Sequence, residues 1–293
     1  MNGFTNYHPI ILFLYYVAII SMTMFILHPV VLSVSFIGAL FFYGMITSVR
    51  ILWKDMRIFI VLLVLIAVTN PLFVHKGETV LFHVNNSPMT AEAFVYGVFI
   101  AMMLVAVIFW SKAFSILITS DKFMYLFGRV IPKLSLVLTM ALQFISQFKK
   151  QMREVQKTQK TLGLYTSNRI KDRIYSGIRT FYSMISWSLE NAVEQGDAMK
   201  AKGYGLKGRT HFSLFSWQMR DTVVLVILGL FTLGILVVQA KAGYYFQYYP
   251  SLSNWSITTF EFGKSLLIIG LVSFPSLLEI KENLQWKFAK SKI

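Results

Sequence analysis

The residues of this chain best suited to chemistry are its cations. Of its 28 Lys and Arg residues, 14 lie within residues 149–220, against five acids. Such a block can pair with carboxylates or phosphates, which is binding chemistry and makes no bonds. Its sharpest element is Ala201-Lys202-Gly203, at the end of a helix-like segment, with Lys200 just before it. A cation at a helix C-terminus is favoured by the dipole, and the glycine beside it lets another backbone approach closely. The same two lysines could instead only stabilise a helix end, and the residues alone leave both readings open. Glu190, Glu194 and Asp197 share one helical face and read as partners for nearby Lys and Arg rather than as a ligand set. The five His residues, at 8, 28, 75, 83 and 211, are scattered. His75 and His83 share a loop, a weak candidate for a metal. With no Cys there is no disulfide, thiolate site or cysteine nucleophile. No His-Glu-x-x-His, Gly-x-Ser-x-Gly or Gly-x-x-x-x-Gly-Lys-Ser/Thr motif occurs, so nothing in the chain hydrolyses ATP or a peptide by those routes.

The elements that must position these cations belong to a membrane protein. The chain is 56% hydrophobic and 14% charged, with a mean hydropathy of +0.60. That charge could not cover a soluble surface of 293 residues. Apolar runs long enough to span a bilayer cover residues 9–27, 30–49, 58–74, 93–111, about 222–239 and 264–280. The N-terminus has no Lys or Arg before its first apolar run and lacks the charged start of a cleaved signal, so the first span is expected to be retained. His28-Pro29 separates the first two spans, and Asn70-Pro71-Leu72-Phe73 ends the third. Lys76-Gly77 and Asn85-Asn86-Ser87-Pro88 mark turns in a polar loop over 75–92. Tyr244, Tyr245, Tyr248, Tyr249 and Trp255 make a loop expected to anchor at the headgroups. The connections rich in Lys and Arg then put both termini in the cytoplasm. Residues 113–148 hold Lys122, Arg129, Pro132 and Lys133 and are expected to lie along or re-enter the cytoplasmic interface.

The fold class expected is therefore all-α and polytopic. It comprises about six transmembrane helices and two or three long amphipathic cytoplasmic helices. Three parts follow: residues 1–112 (N-terminal spans), 113–221 (interfacial and cytoplasmic module) and 222–293 (C-terminal spans and tail). In the middle part the period predicts a helix over 148–162, with Phe148, Met152, Val155 and Leu162 on one face. Gly163 stops it in the left-handed conformation. A second helix over about 169–188 carries the apolar stripe Ile170, Ile174, Ile178, Phe181 and Ile185. A third, over 187–202, has the small residues Ala192 and Gly196 spaced for a close helix approach, and ends at Gly203 and Gly205.

The run from Ser188 to Gly205, Ser-Leu-Glu-Asn-Ala-Val-Glu-Gln-Gly-Asp-Ala-Met-Lys-Ala-Lys-Gly-Tyr-Gly, followed by Gly208-Arg209-Thr210, resembles the signature of the transmembrane T component of energy-coupling factor transporters. These are ABC-type vitamin and metal importers, and the cobalt-transporter membrane subunits belong with them. Asn70-Pro71-Leu72-Phe73 and Lys76-Gly77-Glu78-Thr79 resemble a further segment of that family. The resemblance implies two Ala-Arg-Gly-like motifs at the ends of two coupling helices, each seated in a groove of one cytoplasmic ATPase. Ala201-Lys202-Gly203 matches the second, with Lys for Arg. Thr161-Leu162-Gly163 stands at the first and keeps only the glycine. Lys160, Lys200 and Arg209 are possible supporting residues. Lys is a point donor where Arg is a planar fork, and Leu162 brings no charge, so this asymmetry points to two non-identical ATPases. The implied partners are those two ABC-type ATPases, a small substrate-binding integral membrane subunit and the lipid bilayer, with no nucleic acid. The implied cofactors are none in this chain, ATP and Mg being bound by the ATPases. Two other classes remain open at this point. A membrane-embedded enzyme needs ionisable groups within spans, and the runs 9–27, 30–49, 58–74, 93–110 and 222–239 contain none. A secondary transporter usually shows internal repeats, and none is evident.

Overall fold

The computed structural model describes residues 3–74, 76–84, 87–128, 131–163, 170–204, 206, 215–241, 246–251 and 259–290. Among these, nine α-helices and one small hairpin follow a short 3-10 turn at Gly3–Asn6. In chain order they are α1 (Pro9–Phe25), α2 (Pro29–Ile46), α3 (Val49–Phe73), β1 (Val80–Val84), β2 (Ser87–Thr90), α4 (Ala91–Leu117), α5 (Ser120–Gly128), α6 (Pro132–Thr161), α7 (Ile170–Ala201), α8 (Met219–Lys241) and α9 (Thr259–Lys290). The all-α polytopic class is as expected. Five helices (α2, α3, α4, α8 and α9) are long and apolar enough to cross a membrane, while α1 is apolar but only 17 residues long. At about 1.5 Å per residue, α1 reaches about 25 Å, a little short of a typical hydrocarbon core of about 30 Å.

Contacts divide the chain into two units, residues 1–123 with 215–293, and residues 124–214. The first is built on aromatic packing. Trp110, Tyr15, Tyr16, Phe4, Phe42 and Phe109 are fully buried. The Trp110 indole donates to Ser35 Oγ at 3.1 Å, and Ser35 shares a 2.7 Å hydrogen bond with Thr23. Close approach depends on two glycines: a Cβ at Gly38 would run into Val272 of α9, and one at Gly97 would meet Asn70 and the Ala67 carbonyl of α3. Proline caps recur, with Pro9, Pro29 and Pro132 each opening a helix, where the missing N–H costs nothing.

Several helix bounds differ from those read in the sequence. Helix α3 starts at Val49, so Arg50, Lys54 and Arg57 belong to it and not to a connection. Pro71 lies inside its last turn. Helix α4 continues through Lys112 to Leu117. A charge there suggested the end of a span, but its ammonium lies 2.6 Å from Asp55 of α3. Tyr43 of α2 donates to the same Asp55 oxygen at 2.6 Å, and Lys112 sits 4.9 Å over the Phe59 ring. One ion pair thus ties α2, α3 and α4. Within the stretch 113–148 the described residues form the end of α4, short α5 and the first half of α6, which is continuous from Pro132.

The polar loop over 75–92 contains an antiparallel hairpin, β1 with β2, which the turn signals alone did not reveal. Glu92 at the start of α4 fastens its base: Oε1 accepts the Thr79 amide at 3.1 Å and the Thr79 hydroxyl at 2.8 Å. Gly77 is in the positive-φ region at +146°, and a Cβ there would strike Glu92 and Thr90. Among the described residues of the aromatic loop, Tyr248 is buried as a wedge. Tyr248 packs on Tyr96 and Phe246, and its hydroxyl donates to the Leu27 carbonyl at 3.0 Å. Tyr244, Tyr245, Trp255 and His75 lie outside the described residues.

The N-terminal turn is held by charges from three helices. Lys122 Nζ donates to the Thr5 carbonyl at 2.7 Å, Arg220 to the Asn6 carbonyl at 3.0 Å, and Glu279 accepts the Phe4 amide at 3.0 Å. Burial pushes the Lys122 ammonium pKa down. His8 caps α1, its Nδ1 accepting the Ile10 amide, and packs on Trp217 at 4.8 Å. Burial lowers the His8 pKa, opposed in part by nearby Asp221.

Candidate functional site

The second unit is dominated by α6 and α7, and the two sequence motifs are their C-terminal ends. The expected break between a helix at 169–188 and another at 187–202 does not exist: α7 runs unbroken over 32 residues. Ile185-Ser-Trp-Ser-Leu189 holds neither glycine nor proline, so nothing there interrupts the backbone ladder. Two long helices therefore make up the module.

Both ends close on a glycine at positive φ whose amide bonds back to the carbonyl three residues earlier. At the end of α7 the Gly203 amide donates to the Lys200 carbonyl at 2.9 Å and the Tyr204 amide to the Met199 carbonyl at 3.0 Å. Gly203 has φ +75°. This is the bond pair of a Schellman stop, with Lys202 at the C-cap and Gly203 following in the left-handed region. At the end of α6 the Gly163 amide donates to the Lys160 carbonyl at 3.1 Å, and Gly163 has φ +76°. Thr161-Leu162-Gly163 and Ala201-Lys202-Gly203 therefore stand in matching positions relative to a left-handed glycine and its amide bond. The side chain presented at the cap is Leu162, 71% exposed, in one and the exposed Lys202 in the other.

The supporting residues are distributed around these ends. Lys200 is exposed and pairs with Asp197 at 3.3 Å, and Lys157 pairs with Glu154 at 3.3 Å one turn before the first motif. Thr161 donates back to the Lys157 carbonyl at 2.8 Å, which leaves its hydroxyl turned along its own helix. Lys160 is exposed beside it, and Glu190 and Glu194 are exposed on α7. Nothing lies within 4 Å of a Cβ built at Gly196, so the small residues Ala192 and Gly196 are not a helix contact within this unit. Arg209 and Gly205 lie outside the described residues.

The packing of α6 against α7 leaves much of the apolar surface of both helices open. The stripe Ile170, Ile174, Ile178, Phe181 and Ile185 points outward and is exposed, as are Leu189 and Val193 beyond it. Met152, which shares an apolar face of α6 with Phe148 and Val155, is also exposed. What α7 buries is Ser176, Thr180 and Met184, with Trp187 stacked on Phe144 of α6 at 5.6 Å. On α6 the buried residue is Gln159. Gln159 and Thr180 were not singled out from the sequence, because their polarity hides them in a search for apolar period. Only helical phase could have found Gln159, which falls in line with Phe144, Phe148 and Val155. Among the described residues no group of three or more His, Cys, Asp or Glu could hold a metal ion. The arrangement offers docking surfaces: two exposed helix ends and a long apolar stripe.

Comparison with known proteins agrees with this. The family model described as cobalt transport protein, CbiQ, matches residues 8–212. The chain is 28% identical over 186 residues to the energy-coupling factor transporter transmembrane protein EcfT of Listeria innocua serovar 6a, covering 59% of this chain and 70% of that protein. It is 26% identical over 202 residues to the protein of the same name from Bacillus selenitireducens, covering 65% of this chain and 75% of the relative. A third, from Streptococcus equi subsp. equi, is 26% identical over 174 residues, covering 54% of this chain and 65% of that protein. The chain belongs to the CbiQ cobalt transport protein family and is an all-α, multi-pass bacterial membrane protein. The resemblance read from residues 188–210 to the T component of energy-coupling factor transporters is borne out.

Proposed function

We propose that this chain is the membrane scaffold of an energy-coupling factor importer, joining two cytoplasmic ABC-type ATPases to a small substrate-binding integral membrane subunit. It is not itself an enzyme. ATP and Mg are bound by the ATPases, and this chain transmits their closure to the substrate-binding subunit for uptake of a vitamin, micronutrient or metal ion. One ATPase docks on Ala201-Lys202-Gly203 and the other on Thr161-Leu162-Gly163. The observation that carries this is that two helices end on a left-handed glycine bonded three residues back, each with its cap side chain in the open. The difference between Leu162 and Lys202 supports a pair of non-identical ATPases. The exposed stripe from Ile170 to Ile185 supports an apolar partner, either the substrate-binding subunit or the bilayer surface. The concentration of Lys and Arg on α6 and α7 supports placing these helices, and with them both termini, on the cytoplasmic side of the plasma membrane.

A pull-down in detergent tests the proposal. Wild type should retain two ABC-type ATPases, and Lys202→Glu should shed one of them. Equal retention by both chains would move the docking surface elsewhere. Retention of no ATPase by wild type would refute the scaffold role.

A further inference from the structure

We infer that Gln159 and Thr180 are positioning residues for energy coupling, a hydrogen-bonded pair that sets the register at which α6 and α7 cross. The inference rests on the reading of these helices as coupling helices. Two amphipathic helices with rich apolar stripes would be expected to bury them against each other. Instead the stripe of α7 faces out, and the contact holds Thr180 at 4% and Gln159 at 6% exposure beside Met184 at 1%. The Thr180 hydroxyl lies 3.0 Å from Gln159 Oε1 and 2.9 Å from the Ser176 carbonyl. Polar groups buried in this way are costly unless bonded, and a single polar pair between helices is an established way to fix one register against its neighbours.

The geometry around this pair adds a second property. One hydroxyl hydrogen serves one acceptor at a time. When the bond to Gln159 opens, Thr180 falls back on the Ser176 carbonyl of its own helix, so its hydroxyl is not left unsatisfied. The pair therefore holds α6 and α7 in one register, and opening it takes this partner from one buried group, Gln159 Oε1, rather than from two. Its location suits that use. Gln159 precedes Leu162 by three residues, about 4.5 Å along α6, while Thr180 precedes Lys202 by 22 residues, about 33 Å along α7. Force delivered at the first docking end meets the pair within one turn, and α7 is the long arm.

The test uses the complete complex with its ATPases, reconstituted in nanodiscs, and a chain carrying nitroxide labels at Arg153→Cys and Ser183→Cys. Both positions are exposed, and the chain has no other cysteine. Electron–electron distances are read with ADP and with ATP. The wild-type pair should give one narrow distance in each nucleotide state. Thr180→Val, which keeps the shape and removes the hydroxyl, should at least double the width of the distribution, and Thr180→Ser should restore the narrow one. Widths within a fifth of wild type in Thr180→Val, or no rescue by Thr180→Ser, would overturn the inference. Gln159→Met breaks the same bond from α6 and must reproduce the broadening. If neither variant assembles with the ATPases, the pair is a folding requirement and the inference is also overturned. A wild-type chain that binds no ATPase fails earlier, and that failure belongs to the scaffold reading.

Discussion

Replacing Leu162 by Ala gives the most quantitative test of how the two docking ends differ. The substitution removes three carbons from a side chain that is 71% exposed. Burial contributes about 0.8 kcal/mol per methylene, so complete transfer of the lost atoms amounts to roughly 2.4 kcal/mol. Scaled by the exposed share, docking loses about 1.7 kcal/mol, a roughly fifteenfold weaker affinity at about 1.4 kcal/mol per tenfold. The loss should not depend on ionic strength, because no charge is involved. Lys202→Ala should also weaken docking, but its effect should shrink as salt is raised, since an exposed cation acts through a screened field. The assay is a titration of each labelled ATPase against the detergent-solubilised chain at low and high salt. Less than a twofold change for Leu162→Ala, or a change that fades with salt as that of Lys202→Ala does, would refute an apolar contact at the first motif.

Three further outcomes follow from the same geometry. Gly203→Ala forces a Cβ into a φ of +75°, 3.2 Å from Leu206 Cδ1, and should cost about 1–2 kcal/mol; Gly177→Ala, with open space around it, should stabilise α7 slightly, and hydrogen exchange over residues 196–204 separates the two. Asp55→Asn leaves the partly exposed Lys112 ammonium without its 2.6 Å partner and should cost about 2 kcal/mol, a loss that Asp55→Asn with Lys112→Met should partly recover in thermal melts. His8 has its pKa lowered in the folded chain, so the folded state binds fewer protons than the unfolded one; the stability it contributes is full above the ordinary His value of about 6.5 and is lost as pH falls below it. His8→Gln should flatten that acid limb of the melting temperature.

Much of the frame was legible in the sequence because membrane spanning is set by length and apolarity. The left-handed stop at Gly163 and the helix end at Gly203 were also legible, since a glycine after a periodic run has few other uses. What escaped depended on partners distant in sequence. Lys112 looked like the end of a span until Asp55, 57 residues earlier, was found beside it. The stripe on α7 was legible as a stripe, but what it meets was not, because periodicity tells which residues share a face and not what that face meets. Gln159 and Thr180 were invisible for the converse reason: a buried polar pair breaks the pattern that announces burial. The hairpin over 80–90 was missed because its strands are short, and Glu92, which fastens it, lies outside them in α4.

The central claim, that each coupling-helix end carries one ATPase, is measured most directly by capture through single cysteines. The natural chain has none, so Leu162→Cys and Lys202→Cys each provide one defined attachment point for a short photoactivated cross-linker within the assembled complex. The expected result is that each position captures one ATPase, a different one from each end. Capture of the ATPases by neither position, from a complex that still transports, would contradict it.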